Sequence, residues 1–140
     1  MADQSFADPK TIADIIKNSK VIAVVGLSDK PDRPSFGVAL YLQAQGYKII
    51  PVNPTKDEIL GEKSFPDLKS IPEKIDVVDV FRRSDAVGPI ADEAIEVKAK
   101  AIWFQEGVIN ADAAAKASKA GLQVVMDRCM LKEHRKLQSG

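Results

Sequence analysis

Five cations, Lys30, Arg33, Lys56, Arg82 and Arg83, fall on polar stretches that each follow an apolar run. Arginine donates two parallel hydrogen bonds to a phosphate and lysine acts as a point charge, so cations converging from such stretches make a polyanion site. The first stretch carries most of this chemistry. Lys20 to Gly37, KVIAVVGLSDKPDRPSFG, is an apolar run, a single glycine and a proline-stiffened loop. It reads as the first strand of a nucleotide-binding sheet emptying into a phosphate loop. Ser35 is the expected N-cap of the helix that follows, whose amides can receive an anion. The loop lacks GxGxxG, because the next glycine after Gly26 is Gly37. After the second apolar run stand Asn53 and Pro54, where a dinucleotide enzyme places an acid for the ribose hydroxyls. Asp57 comes only after Lys56, so this loop suits an anion better than a bare ribose. Cys129 and His134 invite nucleophilic or metal chemistry. Five residues apart on a helix they stand about 140° apart, and with Asp127 they are too few for a zinc site. No catalytic residue and no metal ligand is assigned.

The elements that position these residues follow from apolar pattern and punctuation. Asp8-Pro9 opens a helix over Ile12, Ile15 and Ile16 that ends near Asn18. Lys20 to Val25 has no polar alternation, as a strand covered on both faces requires. A helix from Ser35 through Leu42 stops at Gly46, and Tyr47 to Val52 is the second strand. Glu58 to Pro72, punctuated by Gly61, Pro66 and Pro72, reads as a short excursion with one helical turn. Ile75 to Phe81 is a third strand, and Ser84-Asp85 should cap a helix from about Ala86 to Lys98. Ala101 to Phe104 is a fourth strand, Ala111 to Ala120 a helix, Gln123 to Met126 a fifth strand, and Arg128 to Lys136 a last helical turn. Alternation of this kind implies right-handed crossovers. The expectation is an α/β fold: a single Rossmann-like domain over residues 1–140, a five-stranded parallel sheet of order 3-2-1-4-5 with helices on both faces. Ligands of such sheets bind outside the carboxyl ends of the strands.

Composition narrows the partners. Twenty basic and 20 acidic residues balance, so no field of one sign invites nucleic acid or an anionic membrane. Any anion must be held by local cations. The N-terminal MADQSFADPK lacks an apolar core, and Val21 to Val25 is too short to span a bilayer. One cysteine among 140 residues permits no intrachain disulfide and fits a reducing compartment. A cytoplasmic protein is expected.

Four segments, VVGLSDKPDRPSFGVALYLQAQGYKIIPVNP, VDVFRR, IWFQEGV and VMDRCMLKEH, resemble in that order the stand-alone CoA-binding domain proteins of bacteria and archaea. These are relatives of the N-terminal domain of the succinyl-CoA ligase alpha subunit. The resemblance runs from about Asp8 to Arg135. It implies that Gly26, Leu27 and Ser28 begin the loop on the CoA pyrophosphate. It also implies that Lys56 stands near a phosphate, and that Phe104, Gln105 and Glu106 line the pocket ahead of Gly107. The larger enzymes use a phosphorylated histidine outside this domain, which His134 does not match. CoA carries a charge of roughly −4, for which Lys30, Arg33, Lys56, Arg82 and Arg83 supply cations. Phe81, Val80 and Pro54 offer an apolar slot for adenine. Gly26 has a plainer reading as a turn glycine, Ser35 as a cap, one of Arg82 and Arg83 as a solvated charge, and Trp103 as core. The expected function is binding of coenzyme A or an acyl-CoA, with no catalysis evident and no nucleic acid or membrane partner. The alternative is an NAD(P)- or acyl-CoA-dependent enzyme, or an enzyme subunit that needs a partner chain.

Overall fold

The computed structural model describes residues 6–139. The opening MADQS of the N-terminal stretch lies outside them. α1 (Pro9–Asn18) begins at a proline behind Asp8, whose carboxylate accepts from the Thr11 amide. It lays Ile12, Ile15 and Ile16 on the sheet. β1 (Val21–Val25) follows, then α2 (Pro34–Ala44) and β2 (Lys48–Val52). β5 (Val77–Val80), α3 (Val87–Glu96), β6 (Ala101–Phe104), α4 (Ala111–Lys119), β7 (Gln123–Val125) and α5 (Met130–Ser139) complete the alternation. The five long strands are all parallel, in the order β2-β1-β5-β6-β7.

Counted along those five strands the order is 2-1-3-4-5, not the expected 3-2-1-4-5. The reason lies on the outer edge of β2. There Phe65 donates its amide to the Pro51 carbonyl at 3.0 Å and accepts from the Asn53 amide at 2.9 Å. The place where a third strand would sit is thus taken, and the chain crosses back over β1 to lay β5 on its other side. Pro51 itself points the same way, because a proline inside a sheet belongs on an edge strand, where its missing N–H leaves no ladder partner orphaned. The excursion from Glu58 is a hairpin and not a helical turn. β3 (Glu58–Ile59) and β4 (Glu62–Lys63) are joined by Leu60 and Gly61, with φ of 56° and 76°. Two consecutive positive φ values make the tight turn that matches strand twist.

Each sheet face carries its own core. Val25, Ile50, Val52, Val78, Val80, Ile102 and Phe104 pack under α3 and α4 with Ala91, Ala94, Ala114 and Ala117. On the other face Ile22, Val24, Ile49, Val77, Trp103 and Val125 pack under α1, α2 and α5 with Ile15, Leu42 and Met130. Helices of small residues therefore cover one side, and helices of larger residues the other. No described helix is long and apolar enough to cross a membrane.

Candidate functional site

The carboxyl ends of β1 and β5 are where the chain changes direction, and a doubly wound sheet opens a crevice at such a switch point. Gly26 ends β1 there with φ +86°, and a Cβ on it would collide with the Phe81 carbonyl oxygen and crowd the Arg82 side chain. Both the turn and the close approach of two chain segments thus demand glycine. On the α1/α2/α5 face a cavity of about 590 Å³ opens beside it. The cavity lies between Gly26 and Ser28 of the first loop, Arg33 to Ser35 and Val38 at the start of α2, Phe81 to Arg83, and Gln105, Glu106, Val108 and Cys129.

The N-cap of α2 lies two residues earlier than expected. Arg33 is its N-cap position and makes no side-chain cap bond, and Pro34 takes the first helical position. Proline's fixed φ suits that position and its missing N–H costs nothing there. Ser35 is therefore not the cap. Its hydroxyl, on a residue 5% exposed, instead accepts from the Ser28 amide at 3.0 Å and folds the first loop against the helix. Ser28 in turn accepts from the Lys30 amide. An anion here meets a helix N-terminus with no side-chain cap, the positive end of its dipole.

Lys30, Arg33, Arg82 and Arg83 are exposed and form the rim. Arg83 is held by Asp85, whereas Arg82 reaches over Gly26. The floor is neutral: Ser35, Val38, Gln105, Val108 and Cys129 are all buried. Gln105, 4% exposed, accepts from the Met130 amide at 3.1 Å and thereby ties the fourth loop to the start of α5. Glu106 pairs with Lys132 at 2.9 Å, and this hydrogen bond, helped by the carboxylate's charge, holds the Lys132 ammonium above the usual lysine range. Trp103, fully buried as its core reading expects, donates Nε1 to the Arg128 carbonyl at 2.8 Å.

Other expected residues lie elsewhere. Leu27 and Phe104 are sealed in the two cores and do not line the cavity. Asn53 bridges two loops, donating to the Leu27 carbonyl and accepting from Thr55. Lys56 pairs with Asp29 of the first loop at 3.1 Å, so it sits beside that loop. Gly107 is a turn with φ +85°, its amide held by Asp127. Ser84 does not cap α3 but latches the next loop, donating to Gly107 and accepting from the Ile109 amide. The proposed adenine slot is not assembled as expected, because Val80 is buried in the core while Pro54 and Phe81 line different clefts. Pro54 belongs to a second cleft on the α3 face, with Val52, Pro66, Asp85, Ala86 and Pro89, and this cleft shares Gly26 and Arg82 with the cavity. Cys129, weighed in the sequence only against His134, faces the cavity. His134 instead packs between helices, with Nδ1 2.7 Å from the Tyr41 hydroxyl, and burial holds its imidazole below the usual range. Among the described residues no three His, Cys, Asp or Glu side chains are grouped to hold a metal.

The chain thus has a doubly wound parallel sheet with a switch-point cavity of cationic rim and neutral floor. The family model described as "CoA binding domain" matches residues 20–135, and the chain belongs to that family. It is 47% identical over 123 residues to uncharacterized protein YneT of Bacillus subtilis, covering 88% of this chain and 91% of that one. A hypothetical protein from Pyrococcus horikoshii superposes with TM-score 0.92 at 39% identity, over 99% of this chain and 97% of that one. The 4-hydroxybutyrate–CoA ligase (ADP-forming) of Nitrosopumilus maritimus is 28% identical over 130 residues, which is 82% of this chain but only 18% of the ligase.

Proposed function

We propose that this protein binds coenzyme A across the carboxyl edge of its sheet and performs no chemistry of its own. The observation that carries this reading is the gradient from a rim of Lys30, Arg33, Arg82 and Arg83 to a buried neutral floor. CoA has the same gradient, with phosphates at one end and an uncharged pantetheine arm at the other. The pyrophosphate meets the start of α2 and the Ser28 to Arg33 loop. Arg82, shared by both clefts, reaches the bridge between the two halves of the ligand. The adenosine rests against Pro54 on the α3 face, with Lys56 beside its phosphate. The family membership and the likeness to part of an ADP-forming CoA ligase support the same ligand. The single carboxylate lining the cavity, Glu106, is engaged by Lys132, which leaves no free base beside Cys129.

A thermal-shift panel of CoA, 3′-dephospho-CoA, NAD, NADP and ATP tests this. CoA at 100 times its dissociation constant should stabilise by about 2.7 kcal/mol, a rise of about 8–10 °C for a chain of this size. A shift with NAD and none with CoA would overturn the reading.

A further inference from the structure

The floor of the cavity holds a carboxamide whose bonding is incomplete. Gln105 is nearly sealed, and its Oε1 must be the atom facing α5, because what it meets there is the Met130 amide, a donor. That fixes the side chain's orientation and leaves Nε2, with two N–H donors, on the other side. Nε2 has no hydrogen-bond partner among the described residues. It is also not sealed off, since the carboxylate oxygens of Asp79 are the only buried side-chain polar atoms among those residues that lack a partner. Gln105 lines the cavity, so its free donors open into it. Around it stand Val38, Val108 and the Cys129 thiol, none of which offers a strong acceptor, and Ser35, whose hydroxyl oxygen already accepts from the Ser28 amide.

A free donor anchored in an uncharged floor selects for an acceptor. If CoA lies as proposed above, on which this inference rests, its charged end is held at the rim and its sulfur end reaches inward to this floor. A free thiol is a weak donor and a weak acceptor and leaves Gln105 unpaired. A thioester adds a carbonyl oxygen next to the sulfur, together with a short apolar group that fits Val38 and Val108. We propose that the site is built for an acyl-CoA thioester, with Gln105 Nε2 donating to the thioester carbonyl as the residue that distinguishes acylated from free CoA.

The pantetheine arm has amide carbonyls of its own, and the test removes only the oxygen in question. Isothermal titration of the wild-type protein compares acetyl-CoA with S-ethyl-CoA, a thioether of the same length that lacks the carbonyl, and with CoA. Acetyl-CoA should bind about 5- to 10-fold more tightly than S-ethyl-CoA, the scale of one neutral hydrogen bond. In Gln105→Glu, which keeps an acceptor for the Met130 amide but replaces the donor, that ratio should fall to one or below while S-ethyl-CoA still binds. Equal affinities for acetyl-CoA and S-ethyl-CoA in the wild type overturn the thioester inference and leave CoA binding standing. Failure of all three ligands to bind overturns both. An unchanged ratio in Gln105→Glu removes the role assigned to that residue.

Discussion

Two successive layers of side chains on one face of the sheet treat polarity in opposite ways. Strand register aligns Val24, Asp79 and Trp103 across β1, β5 and β6. By the two-residue alternation of strands, Gly26, Phe81 and Gln105 form the next layer toward the carboxyl edge. In the upper layer the polar group is anchored by Oε1 and open on its other side. In the lower layer both carboxylate oxygens of Asp79 are sealed and have no partner among the described residues, and burial pushes that carboxyl well above the usual range. The upper layer spends its irregularity on a cavity, and the lower one carries a buried acid with no counterpart. The contrast separates what the edge needs for ligand from what the core tolerates.

Breaking the upper layer should have the largest effect. Gly26→Ala adds a Cβ against the Phe81 carbonyl at a left-handed φ. Strain and collision together should cost about 3 kcal/mol or more, lowering the melting midpoint by about 10 °C and abolishing the CoA shift. A variant that melts within 2 °C of wild type, by the roughly 3 °C per kcal/mol of a chain this long, would show that the two segments separate easily.

The lower layer predicts a smaller effect with a definite sign. Because the folded state holds the Asp79 proton more tightly than the unfolded chain does, stability is full below the unfolded carboxyl value of about 3.9 and falls as pH rises above it. His134, whose folded value is depressed, works the other way and loses stability as pH falls through its ordinary value. Asp79→Asn removes only the first contribution. Urea melts at pH 5 and pH 8 should therefore show the Asn variant gaining on the wild type at the higher pH, by about 1.4 kcal/mol for each pH unit over which the folded carboxyl keeps its proton. A variant that tracks the wild type at both pH values would mean that the acid is solvated.

The rim offers a third test, on ligand and not on stability. Arg33→Ala removes a charge at the start of α2 and should weaken CoA about 10-fold, as expected for a charge-assisted bond to phosphate. The loss should shrink at high salt, while the melting midpoint of the free protein stays put. An equal loss for CoA at 50 mM and 500 mM salt would remove the electrostatic role.

Much of this organisation is legible in the chain, and the illegible parts have physical reasons. Lys20 to Val25 declares a buried parallel strand because no polar residue interrupts it, and cations in loops after strands must gather at one edge of a parallel sheet. Strand order is not legible even though Pro51 marks β2 as an edge strand, because a lone proline says nothing of what will occupy that edge. Phe65, thirteen residues beyond the end of β2, does so through backbone bonds that no side chain announces. The floor was harder. Val38, Val108 and Cys129 reach it from a helix face, a turn and a helix start, and their convergence depends on crossover packing that local spacing does not encode. Asp79 is visible inside the apolar run IDVVDVF, but its lack of a partner among the described residues is a property of the strands and helices packed around it.

Lys56 gives the smallest and most discriminating test of how far the edge layer extends. It is already engaged, with its ammonium 3.1 Å from Asp29 and both side chains about two-fifths exposed. An exposed pair contributes about 0–1 kcal/mol, so Lys56→Ala should barely move the free protein's midpoint. If the lysine also serves a CoA phosphate, the variant should lose affinity for CoA by about 3- to 5-fold, on the scale of one screened charge contact, and lose less for an analogue without that phosphate. Asp29→Asn frees the same ammonium and should strengthen CoA binding by a similar factor. Equal losses for both ligands in Lys56→Ala, with no gain in Asp29→Asn, would reduce Lys56 to a strut between two loops and confine the phosphate site to α2, Lys30, Arg33 and Arg82.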